Sequence, residues 1–386
     1  RVQVRVLVGA HEEGHNFSIH GVKWLFEPSE PDSGYRSSQM MGISEHFEFI
    51  IPQLIKNPNG SFADRLWSAG SSVDDFWNGL WGLLRSYNSH QQSLVELPDN
   101  PPGSRSGGDF DFSCPKDAPV RTFDVSAVAA STALSGGRLV YNNRTDGSFG
   151  PLFDHTSILY VRSSDLDATG KLKPILSTRP EPLILRALAG ECIKLTLRNK
   201  LPATPFDLDG YNTLPMIVEG FNANDIKPSI YVGLSPQLLY YDVSRFDGTM
   251  IGRNKDQLVV PGQFKTYEWY AGDVTINNGS ITATPIEFGA TNLISSDRIE
   301  HASKGAIGAL IIEPGNGVIT EFDPTRRAMA NISGGSEGTF REFVVLLQND
   351  VNLRTDNDLP WPSDPGCHFS EPTPAAGKGW PVENLG

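Results

Sequence analysis

The residues best equipped for chemistry in this sequence are three histidines near its start, His11, His15 and His20. Imidazole is a ligand for copper, zinc or nickel, so the trio is a candidate metal site. Geometry limits it. In a β-strand residues five apart point to opposite faces, and His15 and His20 chelate one ion only if the chain bends between them. The plainer expectation is that His20 packs under Trp24 as a satisfied polar side chain while His11 and His15 face solvent. His46, His90 and His155 stand alone, and the adjacent Cys367 and His368 sit in a Pro-rich tail, so structural roles are expected for all of them. Cys114, Cys192 and Cys367 are widely spaced and form no metal-type pair. One disulfide is possible among them, and one thiol must remain.

Two nucleotide-binding templates are missing: the sequence holds no phosphate-binding loop and no dinucleotide glycine fingerprint. Adjacent carboxylates such as Asp74 and Asp75 project to opposite sides of a strand and are expected to be solvated rather than catalytic. The formal net charge of −13 argues against nucleic acid, which needs clustered Lys and Arg, and equally against an anionic membrane surface. An acidic surface suits divalent cations such as Mn²⁺ instead. Trp67, Phe76, Trp77 and Trp81 form a dense aromatic group whose ordinary use is core or domain-interface packing.

The elements that must position these residues are strands. RVQVRVLV alternates at period two, and FEFIIP, LVYNN, SILYV, LILRAL, CIKLTLRN, FKTYEWY, GALIIEP and REFVVLLQND are short apolar or β-branched runs bounded by turn formers. The nearest approach to a helical stripe, Val73 to Leu84, is interrupted by Gly79 and Gly82. Many short strands predict a sandwich or barrel. At 386 residues, with 38 Gly and 28 Pro, the chain should hold two domains or three. A polar stretch rich in Pro, Gly and Ser separates a first domain at about 1–88 from a second at about 120–350, with a linker at 89–119 and an irregular tail at 351–386. The opening strand, already in mid-fold, suggests a piece of something longer. Sequons at Asn16, Asn59, Asn143, Asn278 and Asn331, with scarce Cys, lean toward a secreted, periplasmic or cell-surface protein.

One motif ties chemistry to fold. HNFSIHG, His15 to Gly21, resembles the His-Pro-Phe-His-Leu-His-Gly strand of multicopper oxidases, with Ser18 in place of the middle histidine. The resemblance continues. DRLWSAGSSVDDFWNGLWGLLR looks like that family's last ligand-bearing hairpin, its ligand positions falling at Ala69, Gly70, Ser71 and Asp75. GLSPQLLYYDVSRFDG looks like a stretch where relatives place His-x-His, and the two slots are Ser235 and Gln237. PGQFKTYEWY and ASKGAIGALIIEP look like scaffold strands of the same family, and GLWGLLR with GAIGALIIEP is similar to its large bacterial, manganese-oxidising branch. His301 stands at a position that supports ligands rather than supplying one.

What the resemblance implies is an all-β chain of tandem cupredoxin-like Greek-key β-sandwiches. It further implies a segment that scaffolds copper-bearing domains elsewhere in a protein that oxidises a metal ion or a phenol with O₂. Copper would belong to the complete protein, and the partners would be other cupredoxin domains or segments of that protein. A blue centre needs a Cys thiolate with two imidazoles, and a trinuclear cluster needs eight imidazoles. The first domain contains no Cys, and the whole chain has eight His. The competing expectation is a secreted, non-catalytic structural or binding protein that kept the sandwich and lost the redox sites.

Overall fold

The computed structural model describes residues 2–9, 14–52, 62–70, 76, 79–87, 91–95, 114–143, 151–204, 228–277, 280–298, 300–321, 323, 325–336, 338–348, 351, 353–354 and 360–361. Among them, strands β1 (Val2–Leu7), β2 (His15–Ile19), β3 (Trp24–Leu25), β4 (Tyr35–Arg36), β5 (Ser38–Met41), β6 (His46–Ile51), β7 (Phe62–Ser68) and β8 (Trp81–Tyr87) build a first body. Its main sheet runs β5-β2-β7-β8, every pair antiparallel, with β1 and β6 forming a hairpin-like pair beside it. Period-two alternation explains β2: His15, Phe17 and Ile19 are buried while Asn16 and Ser18 are half-buried. Phe17 stacks on Trp67 and Trp24 on Phe49, with ring centroids 6.2 and 4.2 Å apart, so aromatic packing supplies this body's core.

The second body opens with β9 (Val120–Ala129), β10 (Leu139–Asn142), β11 (Leu152–Asp154), β12 (Ile158–Arg162), β13 (Leu183–Leu188) and β14 (Cys192–Asn199). It continues through β15 (Leu234–Pro236), β16 (Phe264–Tyr270), β17 (Gly272–Asn277), β18 (Ser280–Pro285), β19 (Gly289–Ser295) and β20 (Gly308–Glu313). Two sheets, β12-β9-β14-β16 and β13-β20-β19-β15, face each other. Each contains one parallel pair, β9 with β14 and β13 with β20. Val125, Ile193, Leu195, Leu197, Tyr267 and Trp269 from one sheet meet Leu183, Leu185, Leu310 and Ile312 from the other in a single buried cluster. Each such side chain contributes roughly 1.5–3 kcal/mol by leaving water.

Register in the outer sheet is fixed on its wet face. Lys194 lies opposite Glu268 and Thr196 opposite Thr266, and both pairs bond, at 3.2 and 2.9 Å. A slip of one residue would turn Ile193, Leu195 and Leu197 outward. The second sheet is covered on both faces, which is why LILRAL and GALIIE read as continuous apolar runs. Ala328, Val344 and Leu346 cap Ile184, Ala309 and Ile311 on the outer side. These belong to a segment carrying β21 (Val318–Glu321), β22 (Met329–Ser333) and β23 (Phe340–Phe343), a three-stranded antiparallel sheet.

The stretch around GLWGLLR enters a strand at Trp81 that pairs with β7, where the alternation of Leu83 with Gly82 and Leu84 serves a sheet edge. Two details depart from the sequence reading. REFVVLLQND is a strand only over Phe340–Phe343, and Val345 and Leu347 beyond it are exposed. The region from 351 contributes β24 (Leu353–Arg354) and β25 (Pro360–Trp361) to a sheet with β10 and β11, so it is not irregular throughout. Cys114, at the end of the Pro- and Ser-rich stretch, is disulfide-bonded to Cys192 at the start of β14. Cys367 lies outside the described residues.

Arg186, mid-strand in β13 and buried, holds the capping sheet electrostatically. Its Nε donates to Glu342 Oε1 at 2.7 Å and its Nη1 to the Arg327 carbonyl at 2.7 Å. Glu313 lies beside this pair, and burial, followed by a hydrogen bond shared with Glu342, pushes its carboxyl up to about 8. A carboxyl that keeps its proton longer in the folded chain makes stability fall as pH rises from its ordinary value of 4.5 toward about 8. The melting temperature should therefore drop by about 5 °C across that window and lose most of this slope in Glu313→Gln. An identical slope in the variant, measured by calorimetry, would assign the pH dependence to another group.

Candidate functional site

The two bodies meet where β2 ends. Ile19 O accepts the Val22 N–H at 3.2 Å, closing a turn in which Gly21 has φ +65°. A side chain at Gly21 is excluded twice over: by that φ, and because a Cβ there would lie 2.3 Å from Val243 Cγ1 of the second body. Gly252 repeats the device from the other side, with φ +56° and its missing Cβ 2.1 Å from Asp64 Oδ2. Close approach lets backbone and side chains bond across the junction. Arg253 N donates to Asp64 Oδ2 at 2.7 Å, Asn254 exchanges two bonds with the Asp64 backbone, and Arg85 clamps the same carboxylate at 2.6 and 2.7 Å. Lys23 pairs with Asp273 at 2.7 Å.

The turn delivers His20 into this junction. Its Nδ1 lies 2.9 Å from Asp247 Oδ2, and its Nε2 meets Arg298 Nη2. The chemistry of the neighbours assigns the tautomer. A guanidinium only donates and a carboxylate only accepts, so Nδ1 carries the proton and Nε2 offers its lone pair to Arg298. Asp247 is fully enclosed and also accepts from Tyr241 Oη at 2.8 Å and from Thr249 Oγ1. Burial alone would raise this carboxyl, but His20, Thr249 and Tyr241 outweigh it and hold Asp247 below its ordinary 3.8. Burial and the adjacent carboxylate push the Tyr241 hydroxyl well above 10, keeping it a donor. Gln257 fixes the loop itself, its Oε1 accepting Asp247 N at 2.6 Å and its Nε2 donating to Val243 O at 2.8 Å.

Beside this chain of bonds lies a small recess, open on one side. Ser18, His20, Ser37, Ser235, Gln237 and Arg298 supply its polar lining. Four positions that the multicopper-oxidase resemblance assigns to imidazoles therefore converge here: Ser18 and His20 from the first body, Ser235 and Gln237 from the second. The donors do not fit a copper cluster. Two are hydroxyls and one is a carboxamide, and the lone pair of the one imidazole is engaged by a cation. Among the described residues no group of three or more His, Cys, Asp or Glu side chains is arranged to hold a metal.

Two of the predicted trio, His15 and His20, take different surroundings. His20 is a satisfied polar group as expected, but its partners are Asp247 and Arg298, while Trp24 stacks on Phe49 instead. His15 does not face solvent: it is buried on the face of β2 that carries Phe17 and Ile19, opposite to Ser18. His11 lies outside the described residues, as do His90, Cys367, His368, Ser71, Asp74, Asp75 and Trp77. His301 is buried, its Nδ1 2.6 Å from Ser295 Oγ and its Nε2 donating to Ser229 O at 2.7 Å. Ser295 in turn takes the Tyr160 hydroxyl at 2.6 Å. This Ser-His contact is sealed in the core with every donor matched, and it is no nucleophile. Asp247 and Arg298 carried no sequence signal, lying 227 and 278 residues from His20.

No protein family matches the chain by sequence, and no curated protein matches it. Solved structures that align with it include a multi-copper oxidase from Pseudomonas thermotolerans at 12% identity and TM-score 0.27, over 51% of this chain and 30% of that one. Another is a multicopper oxidase at 14% identity and TM-score 0.26, over 62% and 57%. A third is a copper nitrite reductase from Nitrosomonas europaea at 12% identity and TM-score 0.21, over 80% and 78%. The chain spans less than two thirds of the length of both oxidases. Likeness at this level says nothing of the site.

Removing one member of a buried, hydrogen-bonded charge set leaves the others unpaired. Asp247→Asn should lower unfolding free energy by about 3 kcal/mol in urea titrations near neutral pH. The native carboxylate stabilises the fold above its ordinary pKa of 3.8, and that contribution is lost as pH falls below it. The variant should accordingly show a shallower acid transition. Wild-type stability near neutral pH together with an unchanged acid transition would place no weight on this bond network.

Proposed function

We propose that this chain is a copper-free structural segment of a multicopper-oxidase-like protein. Its sandwiches hold the shape and spacing of copper-bearing domains encoded elsewhere, and the complete protein oxidises a metal ion or a phenol with O₂. One observation carries the reading: the recess at the junction gathers Ser18, His20, Ser235 and Gln237, and the ring nitrogen left for a metal belongs to Arg298. Carboxylate–imidazole–metal chains orient a ligand through its second nitrogen. Here the carboxylate and imidazole keep that relation, and a guanidinium stands in the cation's place. The two sheets with one parallel pair each support a cupredoxin-like sandwich.

A location outside the cytosol is part of the same proposal. The Cys114–Cys192 disulfide suits an oxidising compartment. Among the described residues no helix is long and apolar enough to cross a membrane.

Copper loading tests the reading. After incubation with Cu²⁺ and desalting, the chain should retain far less than one copper per molecule by elemental analysis and show no intense thiolate-to-copper colour. Stoichiometric copper that disappears in His20→Ala would overturn it.

A further inference from the structure

We infer that the recess at the junction binds a small monoanionic carboxylate. Of the side chains lining it, only Arg298 bears a formal charge, since His20 must be neutral to accept from it. The guanidinium is incompletely used. It has five N–H donors; Nη2 serves His20, and the Nε atom is buried with no hydrogen-bond partner. Asp247, the nearest opposite charge, reaches Arg298 through the imidazole and not directly. A cation in this position stabilises an anion placed against its open side.

The other polar side chains of the lining can donate. Ser37 and Ser235 offer hydroxyls, and Ser18 offers a third that also lies 3.5 Å from Ser68 Oγ. Asn292 Nδ2 donates to Gln237 Oε1 at 3.1 Å, which leaves the Gln237 amide N–H groups for a ligand. The wall that presents Gln237 is strained: Leu239 N bonds back to Gln237 O at 2.8 Å around Leu238, whose φ is +67°. This three-residue turn with a positive centre is rare for a bulky residue and persists only when its surroundings over-determine it.

Size and charge select the ligand class. The enclosed part of the recess has room for little more than a water or two, which limits a ligand to a small head group. A planar carboxylate matches the guanidinium fork, and one negative charge balances the one exposed cation. A phosphate dianion would leave an excess charge in a half-closed pocket with no second cation lining it. The inference stands apart from the copper-free reading, because it needs no metal, present or absent.

The test is calorimetric titration of the EDTA-treated, dialysed chain with sodium acetate and with sodium phosphate at matched ionic strength. Acetate should bind saturably with a dissociation constant on the order of 1 mM, and more tightly than phosphate. Arg298→Met should weaken acetate at least about tenfold, as loss of a charge-assisted pair does. Should that variant not fold, Gln237→Glu keeps the shape, places a competing carboxylate in the recess, and should weaken acetate equally. Absence of saturable acetate binding, tighter binding of phosphate, or acetate binding unchanged in a folded variant would each overturn the assignment.

Discussion

The chain Asp247–His20–Arg298 is the constraint on which the junction depends. Each member is acceptable in a buried setting only because of the next. The carboxylate is satisfied by three donors, the imidazole is held in one tautomer by the carboxylate, and the guanidinium finds its acceptor in that imidazole. Buried ionic groups seldom add much net stability, since desolvation consumes most of the attraction. Their effect is orientation. Any other docking of the first body on the second would strand a carboxylate, a guanidinium and a ring nitrogen away from water, and that penalty selects one arrangement.

The same economy lets the recess tolerate varied polar side chains. A recess shaped by backbone turns and by two glycines needs no particular side chain at its centre, provided polar groups there remain satisfied. The Ser18 hydroxyl beside Ser68 and the Gln237 carbonyl bonded by Asn292 meet that condition. A positive charge at the far end of the imidazole complements the Asp247 carboxylate at the near end.

The strands were legible because their physics is local. CIKLTLRN alternates, and its apolar members are the buried ones; LILRAL and GALIIE do not alternate, because both faces are covered. The face carrying His15 was legible too, since Phe17 and Ile19 share it, so the expectation of a solvent-facing His15 ran against the alternation of its own strand. The grouping of Ser18 with Ser235 and Gln237 could be read only through family resemblance. Asp247 and Arg298 were not legible at all. Nothing local marks an Asp in a loop or an Arg after a strand as partners of a histidine more than two hundred positions away; only the closed fold brings them together. The Trp67 group was half legible: Trp67 stacks in the core, while Trp81 remains 48% exposed.

The disulfide between Cys114 and Cys192 makes a covalent ring of the chain between them, with β9 through β13 inside it. A single proteolytic cut at any peptide bond of that ring would release nothing. Both pieces would stay tethered at the sulfurs, with β14 still paired to β9 along the sheet. Nicking there would convert one polypeptide into two while leaving the sandwich, and the junction it supports, as a single particle until a reductant arrives.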